Sequence, residues 1–386
     1  MNGLSLSRLK QYEDHAILAL GVLLALLLRF SLRNFESGDF RSFTSPWYDF
    51  IQNNSGFGAL KYDFANYTPF YLYLIALMAI PFSSIPKVFA IKLISIPFDF
   101  ICAFFVHRIV RLKYPSGPAP LFAFFAILFA PTVVLNSSLW GQVDIIYTTG
   151  LLACLYFLLT RRETSAFVAF GLAFAFKLQA VFLAPLLLTL LIKRAISLRR
   201  FLIIPGVYIA AILPAWLLGR PLPDLLTIYF KQADFYNDLT KNAPNIYQWF
   251  SNKYYDILYP AGVIGTAAVV FLLLLIVHKS RLLLTNELTI ELAAISVLIM
   301  PYFLPKMHDR YFFAADVLSI VFAFYFPRYF FIPLVVGTTS LFTYFLFLFK
   351  IEVVPLPLLA VALLAAIAIL FRHLFSTLYG NERTTG

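Results

Sequence analysis

A chain of 386 residues that is 61% hydrophobic and 13% charged, with a mean hydropathy of +0.83, is excluded from the soluble globular class, whose members run near 45–50% apolar and about 25% charged. The composition specifies a polytopic membrane protein instead. The net charge of +11 does not mark a nucleic-acid binder, because the bases fall in short loops and no soluble module carries a basic patch with interleaved aromatics.

A membrane crossing needs about 20 apolar residues, or about 17 if upright. The first such run, 15–30, follows Arg8 and Lys10 and ends at Arg29, Arg33 and Glu36 without a small-residue cleavage pattern, which predicts a retained span. A polar segment at 34–66 contains SGDFRSF (37–43). The stretch from Thr68 to Phe82, flanked by Tyr67, Pro69, Tyr71 and Tyr73, is predicted to be an interfacial or re-entrant helix on the outer face. A full crossing there would place the arginines after residue 107 outside.

Spans are then predicted at 88–110, 119–135 and 144–160, as a broken pair at 164–176 and 179–192, and at 201–218. Beyond a second polar loop at 219–257 come 258–277, 287–304, 311–326, 330–348 and 352–371. The expected fold is a single all-α integral-membrane domain over 1–386 with about 12 transmembrane helices.

Orientation follows from short-loop bases, which resist translocation. Arg108, Arg111, Lys113, Arg161, Arg162, Lys193, Arg194, Arg199, Arg200, Lys279, Arg281, Arg328 and Arg372 all fall on one side, which is then cytoplasmic. SGDFRSF, WGQVD (140–144), FKLQ (176–179) and PKMHDR (305–310) fall on the other, with both long loops. Ionisable residues beside hydrocarbon are costly to keep, so these four clusters form the candidate active site. Each half of the broken pair is too short to cross about 30 Å at 1.5 Å per residue. Lys177 and Gln179 are therefore predicted to lie below the surface, beside a cavity open to the outer face.

Taken in order, the early SGD loop, NYTPFYLYL (66–74), WGQVD, FKLQ and LPKMHDRYFF (304–313) resemble the polytopic glycosyltransferases of the C superfamily, GT-C. Within that superfamily they most resemble bacterial relatives of the mannosyltransferase that adds the second mannose of GPI anchors. The resemblance implies a GT-C-like fold in a bacterial plasma membrane. It also implies inverting transfer of a sugar, mannose by subfamily, from a polyprenyl-phosphate donor to a hydroxyl of a lipid or glycan acceptor at the non-cytoplasmic face. Nothing in the residues themselves separates mannose from another sugar. The competing class is a transporter or flippase of lipid-linked saccharides, which also needs buried charge in a cavity but should show repeated halves with matched broken helices. One broken pair is present, without a counterpart.

Such a transfer needs a carboxylate to take the acceptor proton and cations or donors to receive charge on the leaving phosphate. Asp39 is the expected catalytic base, in the loop where superfamily members carry a catalytic aspartate, with Gly38 permitting close approach of a substrate. Ser-Gly-Asp is equally ordinary turn chemistry, and Glu36 and Asp49 are nearby rivals. Lys177, Lys306, His308 and Arg310 are the expected donor-phosphate ligands, combining point charges, a planar fork and a ring that titrates near neutrality. The alternative is that they snorkel to headgroups.

Trp140, Gln142 and Asp144 are expected to bind sugar or acceptor, although a Trp at a span mouth also suits an aromatic belt. Lys92 and Asp99, seven apart, are read as a structural pair, and Asp316 is left open. The loop holding Tyr229, Phe235, Tyr236, Tyr247 and Trp249 among Lys231, Asp234, Asp238 and Lys241 suits a lid or a rigid wall equally. Cys102 and Cys154 lie in apolar runs and point to neither a disulfide nor a metal site. The scattered carboxylates lack metal-ligand spacing, so no metal site is assigned and a divalent ion is neither required nor ruled out.

Overall fold

The computed structural model describes residues 3–80 and 84–380. The apolar runs form helices: α1 Gly3–Ser31, α2 Ser45–Asn53, α3 Pro69–Ala79, α4 Lys87–Lys113, α5 Ala119–Leu128, α6 Pro131–Val134, α7 Asp144–Leu159, α8 Glu163–Phe176, α9 Ala184–Ile192 and α10 Ile203–Leu217. They continue as α11 Leu222–Leu226, α12 Ile228–Ala233, α13 Tyr255–Lys279, α14 Asn286–Phe303, α15 Phe313–Tyr325, α16 Phe331–Phe349 and α17 Leu356–Tyr379. Two short parallel strands, β1 Thr240–Lys241 and β2 Met307–His308, pair Thr240 with Met307 and Lys241 with His308.

Six of the described helices are long and apolar enough to cross a membrane, or seven counting the pair 119–128 and 131–140, which bends by 43°. The shorter apolar helices do not meet that length, so the count of twelve is not established by helix geometry. Helix α3 has 11 residues and is too short to cross. Tyr71, Leu72, Ile75, Ala76 and Ala79 on it are buried in the protein core, while Pro81 and Phe82 of the sequence-predicted segment lie outside the described residues.

Between apolar helices in lipid, close packing replaces the hydrophobic effect, and small residues permit it. Gly150 brings α7 against α8, where an added Cβ would come within 2.8 Å of Ala173 Cβ. Gly171 brings α8 against α10, where a Cβ would meet Val207 at 2.9 Å. Helix α7 is thus buried between α4 and α8, and α14 is packed by α15 and α17. The basic turns lie at the helix ends away from the four motif clusters: Lys113 bonds the carbonyl of Tyr325 and Lys193 that of Ser280.

The broken pair takes the form expected of it. Helix α8 stops at Phe176, Lys177 is extended (φ −152°, ψ 134°), and a 3-10 segment at Leu178–Leu183 leads to α9, whose first turn carries Pro185. Carbonyls freed by the break find donors elsewhere: Phe176 O accepts from Thr68 Oγ1 at 3.1 Å and Phe174 O from the Tyr229 hydroxyl. Irregular backbone at depth is tolerable on that condition.

Candidate functional site

The four clusters converge on one cavity of ≈ 530 Å³, lined among others by Asp39, Gln142, Lys177, His308, Asp309 and Arg310, within the usual size for a ligand site. Asp39 enters it at the start of a π-helical turn, Phe40–Thr44, which runs into α2. Ser37 shapes that turn, accepting from Phe40 N at 3.1 Å and donating to the Trp140 carbonyl at 2.8 Å. A second π-helical turn, Leu135–Trp140, ends at Gly141, whose φ of +78° suits a residue without Cβ. Ser95 Oγ donates to the Gln142 carbonyl at 2.7 Å, fixing the WGQ segment against α4.

One oxygen of Asp39 is heavily held. Oδ2 accepts from Trp140 Nε1 at 3.0 Å, Gln142 Nε2 at 2.5 Å and Arg310 Nη1 at 3.4 Å. Among the described residues Oδ1 has no donor, and the side chain is 18% exposed. The carboxylate is therefore oriented through one oxygen, with the other free of protein donors among the described residues. Glu36 pairs with Arg41 in solvent and Asp49 with Lys87; neither lines the cavity.

Behind Asp39 lies a fully buried carboxylate. Asp144 Oδ1 is bonded by Lys177 Nζ, and Oδ2 accepts from Asn136 Nδ2 at 3.0 Å. Arg310 Nε lies 3.8 Å from the same oxygen, and Arg310 Nη1 lies 3.9 Å from Asp309 Oδ1. Arg310 is thus shared by three carboxylates, with its guanidinium 5.5 Å above the Trp140 ring. Burial raises Asp309 to about 7, opposed by the Arg310 charge and its backbone N–H. Burial, reinforced by Arg310, Lys241 and Lys177, pushes His308 well below the ordinary imidazole value. Its ring is neutral at neutral pH and cannot be the switching cation the sequence suggested.

Other expectations are corrected by geometry. Trp140 neither faces lipid nor offers a face to a sugar: it is 1% exposed, stacked on Phe347 with centroids 4.6 Å apart, and spends its N–H on Asp39. Asp144, with no exposure and its oxygens committed to Lys177 and Asn136, likewise presents nothing to a sugar directly. Lys306, in left-handed backbone (φ 64°), points away from the cavity to the Ala233 carbonyl at 2.7 Å, near the Tyr255 and Tyr259 rings. Lys177 is buried and paired, so it does not snorkel.

Lys92 and Asp99 do not pair. Asp99 takes Arg29 Nε and Ser137 Oγ, each at 2.7 Å, and Lys92 bonds backbone carbonyls of residues 32–35. Asp316 is buried and accepts from Ser340 at 2.7 Å, outside the cavity lining. Sequence reasoning missed Lys350 and did not assign Lys241 or Tyr236 to the site; all three line the cavity. Lys241 lies 3.2 Å from the centre of the Tyr236 ring and is fixed by the β1–β2 pairing. The 219–257 loop is thereby attached beside the site at β1. Among the described residues no group of three His, Cys, Asp or Glu is placed to hold a metal ion.

Neither a family model nor a characterised protein sequence matches the chain. In structure it is similar to ArnT from Cupriavidus metallidurans in the apo state, with a TM-score of 0.55 and 14% identity, over 94% of this chain and 77% of that one. At that identity the likeness is one of fold alone: a multi-pass helical architecture shared with ArnT, in which six described helices, or seven counting the bent pair, are long and apolar enough to cross a membrane.

Proposed function

We propose that the protein is an inverting glycosyltransferase that moves a sugar, mannose by motif resemblance, from polyprenyl phosphate to an acceptor hydroxyl at the non-cytoplasmic face of a bacterial plasma membrane, with the twelve apolar runs forming its membrane domain. The observation that carries this reading is the meeting of Asp39 and Arg310 in one cavity, 3.4 Å apart across 271 residues of chain. The GT-C-type fold supports it.

In the reaction the acceptor oxygen attacks the anomeric carbon as the anomeric C–O bond to phosphate breaks. The acceptor proton passes to Asp39 Oδ1, the oxygen without a protein donor, and polyprenyl phosphate leaves with the bonding pair. Inversion requires base and leaving group on opposite faces of the sugar, by the logic of inverting glycosidases. Arg310, with Nη1 and Nε facing carboxylates, supplies charge and a guanidinium N–H to the phosphate, while His308, as a neutral ring, supplies hydrogen bonding and not charge. Arg310 and Lys177 are already balanced by Asp39 and Asp144, so Lys350, together with Lys241, whose pairing with Asp238 is longer at 3.6 Å, compensates an incoming phosphate.

The test is transfer of radiolabelled mannose from polyprenyl phosphate in membranes containing the wild-type chain or Asp39→Asn. The wild type transfers label and the variant loses it by about 10²-fold or more. Undiminished transfer by Asp39→Asn removes that residue from the mechanism; movement of the lipid-linked sugar across the membrane without transfer assigns the chain to the transporter class.

A further inference from the structure

Helix α4 presents three polar residues on one face at i, i+3 and i+7: Lys92, Ser95 and Asp99. All are at most 1% exposed. In an apolar helix each such residue costs free energy unless it is bonded, and each bonds a segment that carries the base or its donors, Asp99 through Oδ2 alone. Lys92 Nζ donates to the carbonyls of Leu32 at 2.8 Å and Phe35 at 2.7 Å, with Arg33 at 3.4 Å. These are the carbonyls that follow the C-terminus of α1, where a cation is favoured, and they lead directly into Ser37, Gly38 and Asp39. The Lys92 stem also supports Gly141, between Trp140 and Gln142, two of the three side-chain donors to Asp39: a Cβ there would lie 3.6 Å from Lys92 Cγ. Ser95 holds the Gln142 carbonyl, and Asp99 ties Arg29 of α1 to Ser137 of the π turn that ends with Trp140.

We propose that Lys92 is the positioning residue for Asp39: it sets the register between the loop that carries the base and the WGQ segment that orients it, with Ser95 as its second point of attachment. Lys92 does not itself line the cavity and has no bond to Asp39; it meets the lining only from behind, at Gly141, so its effect is on the placement of the carboxylate, not on binding of the donor. The inference rests on the transfer reading for its kinetic consequence only; the placement of the loop is measurable without it.

The experiment uses the full chain in nanodiscs with Lys92→Met, Lys92→Arg and Ser95→Ala, and reads kcat, KM for polyprenyl-phosphate mannose, and amide hydrogen exchange. Lys92→Met lowers kcat by about 10²-fold, as expected of a misplaced catalytic group, with donor KM within about threefold of wild type. Exchange rises in residues 35–44 and not in α14 or α15. Lys92→Arg, which keeps a cationic donor, recovers most of both readouts. Should Lys92→Met fail to fold, Ser95→Ala removes one neutral hydrogen bond and lowers kcat by about three- to tenfold, again without a donor KM change. Wild-type kcat in Lys92→Met, or exchange raised equally in all helices, overturns the proposal. If the wild type transfers no sugar, the functional reading fails, and unchanged exchange at 35–44 in Lys92→Met then separately overturns the positioning role.

Discussion

Replacing Trp140 by Phe separates two roles that a tryptophan beside a sugar-binding cavity can have. The indole is closed off by Phe347 at 4.6 Å and by the edge of Tyr344 at 5.1 Å, and a Phe ring keeps much of that packing. What it deletes is the 3.0 Å bond to Asp39 Oδ2. A hydrogen bond to a charged group contributes about 1.5–3 kcal/mol, and at about 1.4 kcal/mol per decade its loss, if expressed in the placement of the base, is about tenfold to 10²-fold in rate. The two remaining donors act on the same oxygen, so they leave the direction of Oδ1 less determined. Steady-state transfer with varied donor and varied acceptor is therefore expected to show kcat reduced by that factor and both KM values within about threefold. A KM raised about tenfold with kcat unchanged would mean that the ring stacks on sugar, and would refute the assignment of Trp140 as a holder of the base.

Lys177→Met leaves Asp144 buried without its closest cation, which costs about 3–5 kcal/mol; thermal unfolding in detergent should show a large loss, and adding Asp144→Asn should recover much of it. Lys306→Gln should change donor KM by less than about twofold, because that side chain ends on a backbone carbonyl outside the cavity and isolated peripheral charges contribute little. Asp309 binds its proton more tightly in the folded chain, near pH 7, than in the unfolded chain, near about 3.9. Stability should thus fall as pH rises from about 4 to about 7 and level off above, by a few kcal/mol in all, and melting curves of Asp309→Asn across that range should be flatter.

Much of the fold was legible because the bilayer imposes a length rule on apolar runs, and the helices fall close to the sequence-predicted spans. The break at Lys177 was legible for the same reason, and so was the existence of a cavity beside it. The partners of individual charges were not. Arg29 reads as the end of a span but is paired with Asp99, 70 residues away, and a period-seven spacing on α4 suggested a Lys92–Asp99 pair that long-range packing replaces. Lys306 carried the right charge in the right segment, yet a positive φ turns it outward. His308 was read by its free-solution titration, which burial and nearby cations suppress. Lys350, at the end of an apolar helix, has no motif around it, and only the meeting of α16 with the cavity brings it into view.

The most direct measurement is a cryo-EM map of the chain with polyprenyl-phosphate mannose bound. The phosphate is expected beside Arg310, Lys241 and Lys350, and the anomeric carbon between that phosphate and Asp39 Oδ1. A headgroup seated outside the ≈ 530 Å³ cavity, or in it with Asp39 on the same side of the sugar as the phosphate, would contradict the proposed reaction.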